Sequence, residues 1–171
     1  ETIQAMREGV LQNIFETYVP PQSIEEQWDV AALEKALLAD LQLALPLQEW
    51  LAADSNLDAD TLLDRVIDEA KKLYDAKVEL VGAENKHQFE RAVMLQNLDT
   101  QWREHLASLD HLRQGIHLRG YAQKNPKQEY KREAFDLFAA MLERIKHDVT
   151  QIVMTVQIRG QEDIDAVEEA K

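Results

Sequence analysis

The sequence has no cysteine, few turn-forming residues (five glycines and four prolines in 171), and no apolar run approaching the ~20 residues that cross a bilayer. Each scarcity excludes something. Without thiols there are no disulfides, no thiolate nucleophile and no Cys-rich zinc module, so the core is held by packing alone and the composition fits a reducing compartment. With so few glycines and prolines, the many short turns of an all-β chain are ruled out. No charged-then-apolar leader precedes the first periodic segment, and the chain starts at Glu1 rather than methionine, so it is expected to be part of a larger soluble protein. No Gly-rich phosphate loop, GxSxG elbow or HExxH pair occurs, and this leaves no enzymatic motif to build on.

What is present is charge and helical periodicity. Apolar residues make up 45% and charged residues 30%, enough to bury a core in one or two small domains. The net charge of −13 comes from 32 acidic and 19 basic side chains, and it argues against broad electrostatic binding to nucleic acid or anionic lipid. The distribution is uneven. Residues 1–101 hold 8 basic and 20 acidic groups, residues 102–147 hold 9 and 6, and the remainder 2 and 6, so one basic island sits in an acidic chain.

Apolar residues recur at three- and four-residue steps almost throughout, which predicts an all-α fold. Ile3, Met6, Val10 and Ile14 are expected on one face of a first helix that Pro20 and Pro21 terminate. Ser23 and Glu26 have capping-box spacing. Leu33, Leu37 and Leu41 form a second stripe, Pro46 can open a short helix carrying Trp50, and Asp58 or Asp60 can cap a helix bearing Leu62, Val66 and Leu73. Gly82 breaks the pattern. Residues 1–83 therefore read as a bundle of short acidic helices, with Trp28 and Trp50 as core or domain-contact residues.

Beyond Gly82, Leu95, Leu98, Trp102, His105, Leu109, Leu112 and Ile116 alternate three- and four-residue steps, as a coiled-coil seam does. A helix from about 85 to 119 would be about 50 Å long. Gly120 stops it, and Asn125-Pro126 with Gln128 carries the signature of a new helix start. Ala134, Phe138, Met141, Ile145, Val149, Ile152 and Val156 continue as a second arm, so residues 84–158 read as a long antiparallel two-helix hairpin. The acidic segment 159–171 is expected to fray.

Candidate chemistry is sparse. Glu84 and His87 form one Glu-x-x-His, whereas a di-iron bundle needs two such pairs and two further glutamates, so no metal site is assigned. His105, His111 and His117 are spaced by six, about 240° around a helix, and cannot share an ion. His105, on the seam beside Trp102, reads as a hydrogen-bonded core histidine rather than a base. The turn LRGYAQKNPKQEYKR is different: Arg119, Lys124, Lys127, Lys131 and Arg132 surround Glu129, with Tyr121 next to Gly120. Tyr121 can fold back on the arms of a solvated loop, or it can be the contact point of a rigid tip.

The stretch MLQNLDTQWREHLASLDHLRQGIHLRGYAQKNPKQEYKREAFDLFAAML closely resembles the carboxy-terminal helical region of the SecA family, the ATP-driven motors of bacterial preprotein export. YVPPQSIEEQWD and the VGAE at Val81 to Glu84 resemble the same family, so the likeness covers nearly the whole chain. It implies a helical wing domain over 1–83 and the two-helix finger of the helical scaffold domain over 84–158. It also implies that the nucleotide-binding motor domains, with their ATP and Mg, the preprotein cross-linking domain and the long scaffold helix against which the finger packs lie outside this chain. No cofactor is then expected here. In the resemblance, Tyr121, flanked by Arg119, Gly120, Gln123, Lys124 and Lys127, touches translocating preprotein at the mouth of the SecYEG channel. The finger, packed through Trp102, His105, Leu109, Leu112, Phe138 and Met141, represses the motor's ATPase. The implied setting is cytoplasmic, peripheral at the inner face of the membrane, with a possible homodimer of the whole motor and no nucleic-acid partner. Two alternatives stand beside the resemblance: a coiled-coil scaffold or oligomerisation module that self-associates through the seam, and a nucleic-acid binder using Arg119 to Arg132 on phosphates, against which the surrounding acidic surface argues.

Overall fold

A computed structural model describes residues 2–54, 57–116 and 125–157. Among these residues there are six α-helices and one 3₁₀ turn, with no strand: α1 (Thr2–Tyr18), the 3₁₀ turn Glu25–Gln27, α2 (Val30–Leu41), α3 (Leu47–Ala53), α4 (Ala59–Val81), α5 (Ala83–Gly115) and α6 (Pro126–Thr155). The all-α expectation holds. The chain forms two compact units, one made of the described residues within Glu1–Glu90 and Thr150–Lys171, the other of those within Arg91–Val149. Both α5 and α6 contribute to each.

In the first unit α1 packs on α2 and α4, and α2 on α3. Leu33, Leu37 and Leu41 are completely buried, as their stripe predicts, together with Leu62 and Val66 of α4. Fully burying a side chain of this kind contributes about 1.5–3 kcal/mol, so this layer holds the unit together. Between α2 and α3 the chain runs with Leu43, Leu45 and Leu47 buried and the intervening residues exposed, the two-residue alternation of an extended segment pressed on a core.

Local chemistry departs from the expected pattern at three places. The buried face of α1 is Ile3, Arg7, Val10, Leu11 and Phe15, so the stripe lies one residue away from Met6 and Ile14 and includes a cation. Ser23 and Glu26 form no capping box; the Ser23 hydroxyl donates to the Pro20 carbonyl and accepts from the Trp28 indole at 3.0 Å, and Asp29 caps α2 instead by accepting from the Ala32 amide. On α4, Tyr74 and Ala70 are buried and Leu73 is exposed, because Tyr74 makes the polar contacts described below.

Helix starts and stops otherwise follow the sequence. Asp58 and Thr61 make a reciprocal capping box at the start of α4, and the hydrogen bond from Thr61 holds the Asp58 carboxyl below its ordinary value. Gly82 ends α4 at φ 79° and ψ 156°, a region open essentially to glycine alone, and α5 begins at the next residue. Asn125 precedes α6 with its side-chain oxygen accepting from the Lys127 amide at 3.0 Å, and Pro126 takes the first helical position.

The first unit includes residues on both sides of Gly82 and the end of α6. The Tyr74 hydroxyl donates to Glu90 Oε1 at 2.6 Å, and the Arg7 guanidinium lies 3.8 Å over the Tyr74 ring. The Lys77 ammonium donates to the carbonyls of Met154, in the last turn of α6, and of Val156 just beyond it. These polar contacts, together with the buried Val153 and Met154 and an apolar recess lined by Tyr74, Phe89, Val153 and Val156, tie residues 84–90 and 150–157 to the first unit.

Candidate functional site

The second unit consists of α5 from Arg91 onward and α6 as far as Val149. Its contacts run antiparallel: Gln101 meets Arg144 and Asp148, while His105, further along α5, meets Phe138, earlier on α6. Residues 117–124, which carry the expected reversal, lie outside the described residues, as does the segment 159–171 expected to fray.

The packed face of α5 is not the most apolar one. Gln101 and His105 are buried, with Asn97, Leu109, Leu112 and Ile116 half-buried along the same stripe. Leu95, Leu98 and Trp102, expected on the seam, are 42–54% exposed, and Leu106 continues their row. The cause is visible in the sequence once the structure is known. Apolar residues occupy two adjacent stripes of α5, and periodicity favours the richer one, whereas the partner helix takes the stripe whose polar groups it can satisfy. On α6, Met141, Ile145 and Val149 are buried as expected, while Phe135, Phe138 and Leu142 are exposed by more than a third.

The polar centre of the pair is a bridged amide. Arg144 Nε donates to Gln101 Oε1 at 3.0 Å, and Gln101 Nε2 donates to Asp148 Oδ2 at 3.0 Å. One turn along α5, His105 is tilted between two rings, with centroids 5.6 Å from Trp102 and 5.7 Å from Phe138. Its Nδ1 is buried and has no hydrogen-bond partner, so the expected hydrogen-bonded histidine is instead an aromatic packing element at that atom. Sequence reading missed Gln101, Arg144 and Asp148. The available signal was a polar residue every fourth position, Asn97-Gln101-His105, facing a cation and an anion spaced by four.

Of the residues assigned to a contact tip, Arg119, Gly120, Tyr121, Gln123 and Lys124 fall outside the described residues. Lys127 is exposed in the first turn of α6. Of the assigned packing set, His105 and Met141 are buried, Leu109 and Leu112 half-buried, and Trp102 and Phe138 exposed on one edge. Among the described residues no three His, Asp or Glu side chains converge to hold a metal ion, and no helix is long and apolar enough to cross a membrane.

The first unit carries one apolar recess of about 200 Å³, lined by Tyr74, Val78, Val81, Phe89, Val153 and Val156. That is below the ~300 Å³ at which small-molecule pockets begin. Two wider depressions, one lined by Glu34, Leu38, Leu45 and Glu49 and one in the second unit by His111, Leu112 and Glu133, are open to solvent.

The most distinctive surface among the described residues is the exposed apolar row of α5. The model of the SecA Wing and Scaffold domain matches residues 1–157. The chain belongs to this SecA family. It is 61% identical over 168 residues to the protein translocase subunit SecA of Azoarcus sp. (strain BH72) and 62% identical over 169 residues to protein translocase subunit SecA 1 of Nitrosospira multiformis. The SecA of Laribacter hongkongensis is 61% identical over 168 residues. These alignments take in 98–99% of this chain but 18% of each relative. The match is therefore to the wing and scaffold region of a SecA protein-translocation component.

Proposed function

We propose that this chain is the non-catalytic wing and finger of a protein-translocating SecA motor, with 1–83 the wing, 84–158 the finger and 159–171 an acidic tail. The observation that carries this reading is the apolar edge Leu95, Leu98, Trp102 and Leu106, joined at His105 by Phe138. An exposed row of large apolar residues on a long helix is a surface built to be covered. The scaffold helix of the parent motor, outside this chain, is its proposed cover. The finger then lies rigidly against the motor, and Tyr121 with Arg119, Gly120, Gln123, Lys124 and Lys127 engages the SecYEG channel and the unfolded preprotein. Tyrosine suits that task because its ring grips many sequences by apolar contact without reading any. In this reading ATP and Mg belong to the motor domains, nucleic acid plays no part, and the assembly works at the cytoplasmic face of the membrane without spanning it.

Two measurements test the proposal. Added to a SecA motor truncated before its wing, the chain is expected to bind and to lower basal ATP hydrolysis; unchanged hydrolysis at saturation defeats the regulatory part. In the intact motor, a photo-crosslinker at position 121 is expected to capture channel and preprotein, and labelling of neither defeats the contact part. The same apolar edge favours a second reading, self-association as a coiled-coil module. Sedimentation distinguishes the two, since a concentration-dependent dimer abolished by Leu98→Glu supports self-association.

A further inference from the structure

We infer that Gln101 sets the register of α5 against α6, acting as a positioning residue whose amide accepts only one axial alignment of the two helices. Long paired helices can slide by a turn wherever the apolar residues that meet are interchangeable, and here the buried row Met141, Ile145 and Val149 repeats every four residues. Apolar packing alone therefore distinguishes neighbouring registers weakly. The amide distinguishes them by chemistry. Its oxygen takes a hydrogen bond from Arg144 and its nitrogen gives one to Asp148, two groups of opposite charge one turn apart on α6.

Sliding α6 by one turn brings Ala140 and Arg144, or Asp148 and Ile152, opposite Gln101. In either case a residue without a side-chain polar group replaces one partner, and a buried amide group is left unsatisfied. The flanking polar residues do not restore the loss. Asn97 and His105 each carry a buried polar atom that already lacks a partner, so Gln101 is the member of the row matched at both ends. A single buried polar side chain that specifies alignment at some expense of stability is a known use of such groups in paired helices.

The test uses the absence of native cysteine. Spin labels at Arg91→Cys and Lys131→Cys, both exposed and far apart along the pair, report axial alignment in the full chain by pulsed electron spin resonance. The parent is expected to give one narrow distance. Gln101→Leu is expected to keep its helix content and add a second population displaced by about 5 Å, one helical turn. Asp148→Asn, which retains an acceptor, is expected to keep the parental distance. A single parental distance in Gln101→Leu overturns the inference. Should that variant lose helix content, the double variant Arg144→Leu/Asp148→Leu removes both partners at less buried positions, and there too a single parental distance overturns it.

Discussion

Tyr74 shows how much one polar contact can organise. Its ring lies under the Arg7 guanidinium and its hydroxyl donates to Glu90. Burial first, and then the bond to Glu90, push the phenol pKa up. A tyrosine raised in this way keeps its proton in the folded state after the unfolded chain has begun to lose its own at about pH 10. The unfolded state then binds fewer protons, so stability is intact below about pH 10 and declines above it, by at most about 1.4 kcal/mol per pH unit. Urea titrations at several alkaline pH values are expected to show this decline and to show less of it in Tyr74→Phe. Burial likewise pulls the Arg7 guanidinium below its usual value. The two helix-pair residues Met141 and Trp102 make a second comparison. Met141 is 1% exposed, so Met141→Ala is expected to cost about 2–5 kcal/mol. Trp102 already has much of its surface in water and is expected to cost clearly less in the isolated chain, which chemical denaturation of the two variants would measure.

At the scale of elements, the sequence was most legible where backbone chemistry leaves little choice. The Leu33-Leu37-Leu41 stripe, the Asp58 cap, the break at Gly82 and the start of α6 at Asn125-Pro126 were all readable, because each follows from geometry within a few residues. The seam was not. Choosing between two apolar stripes on α5 depends on what α6 presents, a fact about residues tens of positions away. Ser23 failed as a cap because the Trp28 indole and the Pro20 carbonyl engage its hydroxyl, again a contact that spacing does not encode. Most of the candidate site was equally out of reach. The basic turn around Tyr121 stood out in the sequence but took its role only from family resemblance, while the Gln101 bridge left no more than the four-residue polar spacing Asn97-Gln101-His105 as a signal. Gly82 gives the element-scale prediction. Nothing lies within 4 Å of an added Cβ there, so Gly82→Ala meets no clash, yet its dihedrals are forbidden to alanine. A loss of about 1–3 kcal/mol is expected in thermal unfolding. A neutral result would mean the α4–α5 junction relaxes freely.

At the scale of the whole molecule, apolar burial is concentrated in the first unit, whereas the second is held by a narrow seam with a polar centre and unpartnered atoms at Asn97 and His105. Opening free energy follows buried apolar contact. Native-state hydrogen exchange is accordingly expected to be faster for α5 amides between 93 and 109 than for α2 or the Leu62–Tyr74 part of α4. Equal protection in both units would show that they unfold as one. The distribution of tryptophan follows the same division. Trp28 and Trp50 lie half-buried in the first unit, and Trp102 is the tryptophan of the second, on the edge proposed to be covered. With Trp28 and Trp50 replaced by phenylalanine, the chain would carry a native fluorophore at the place where a partner arrives. Its emission would move to shorter wavelength as water leaves the indole, so occupancy of that edge could be followed in real time without any attached dye.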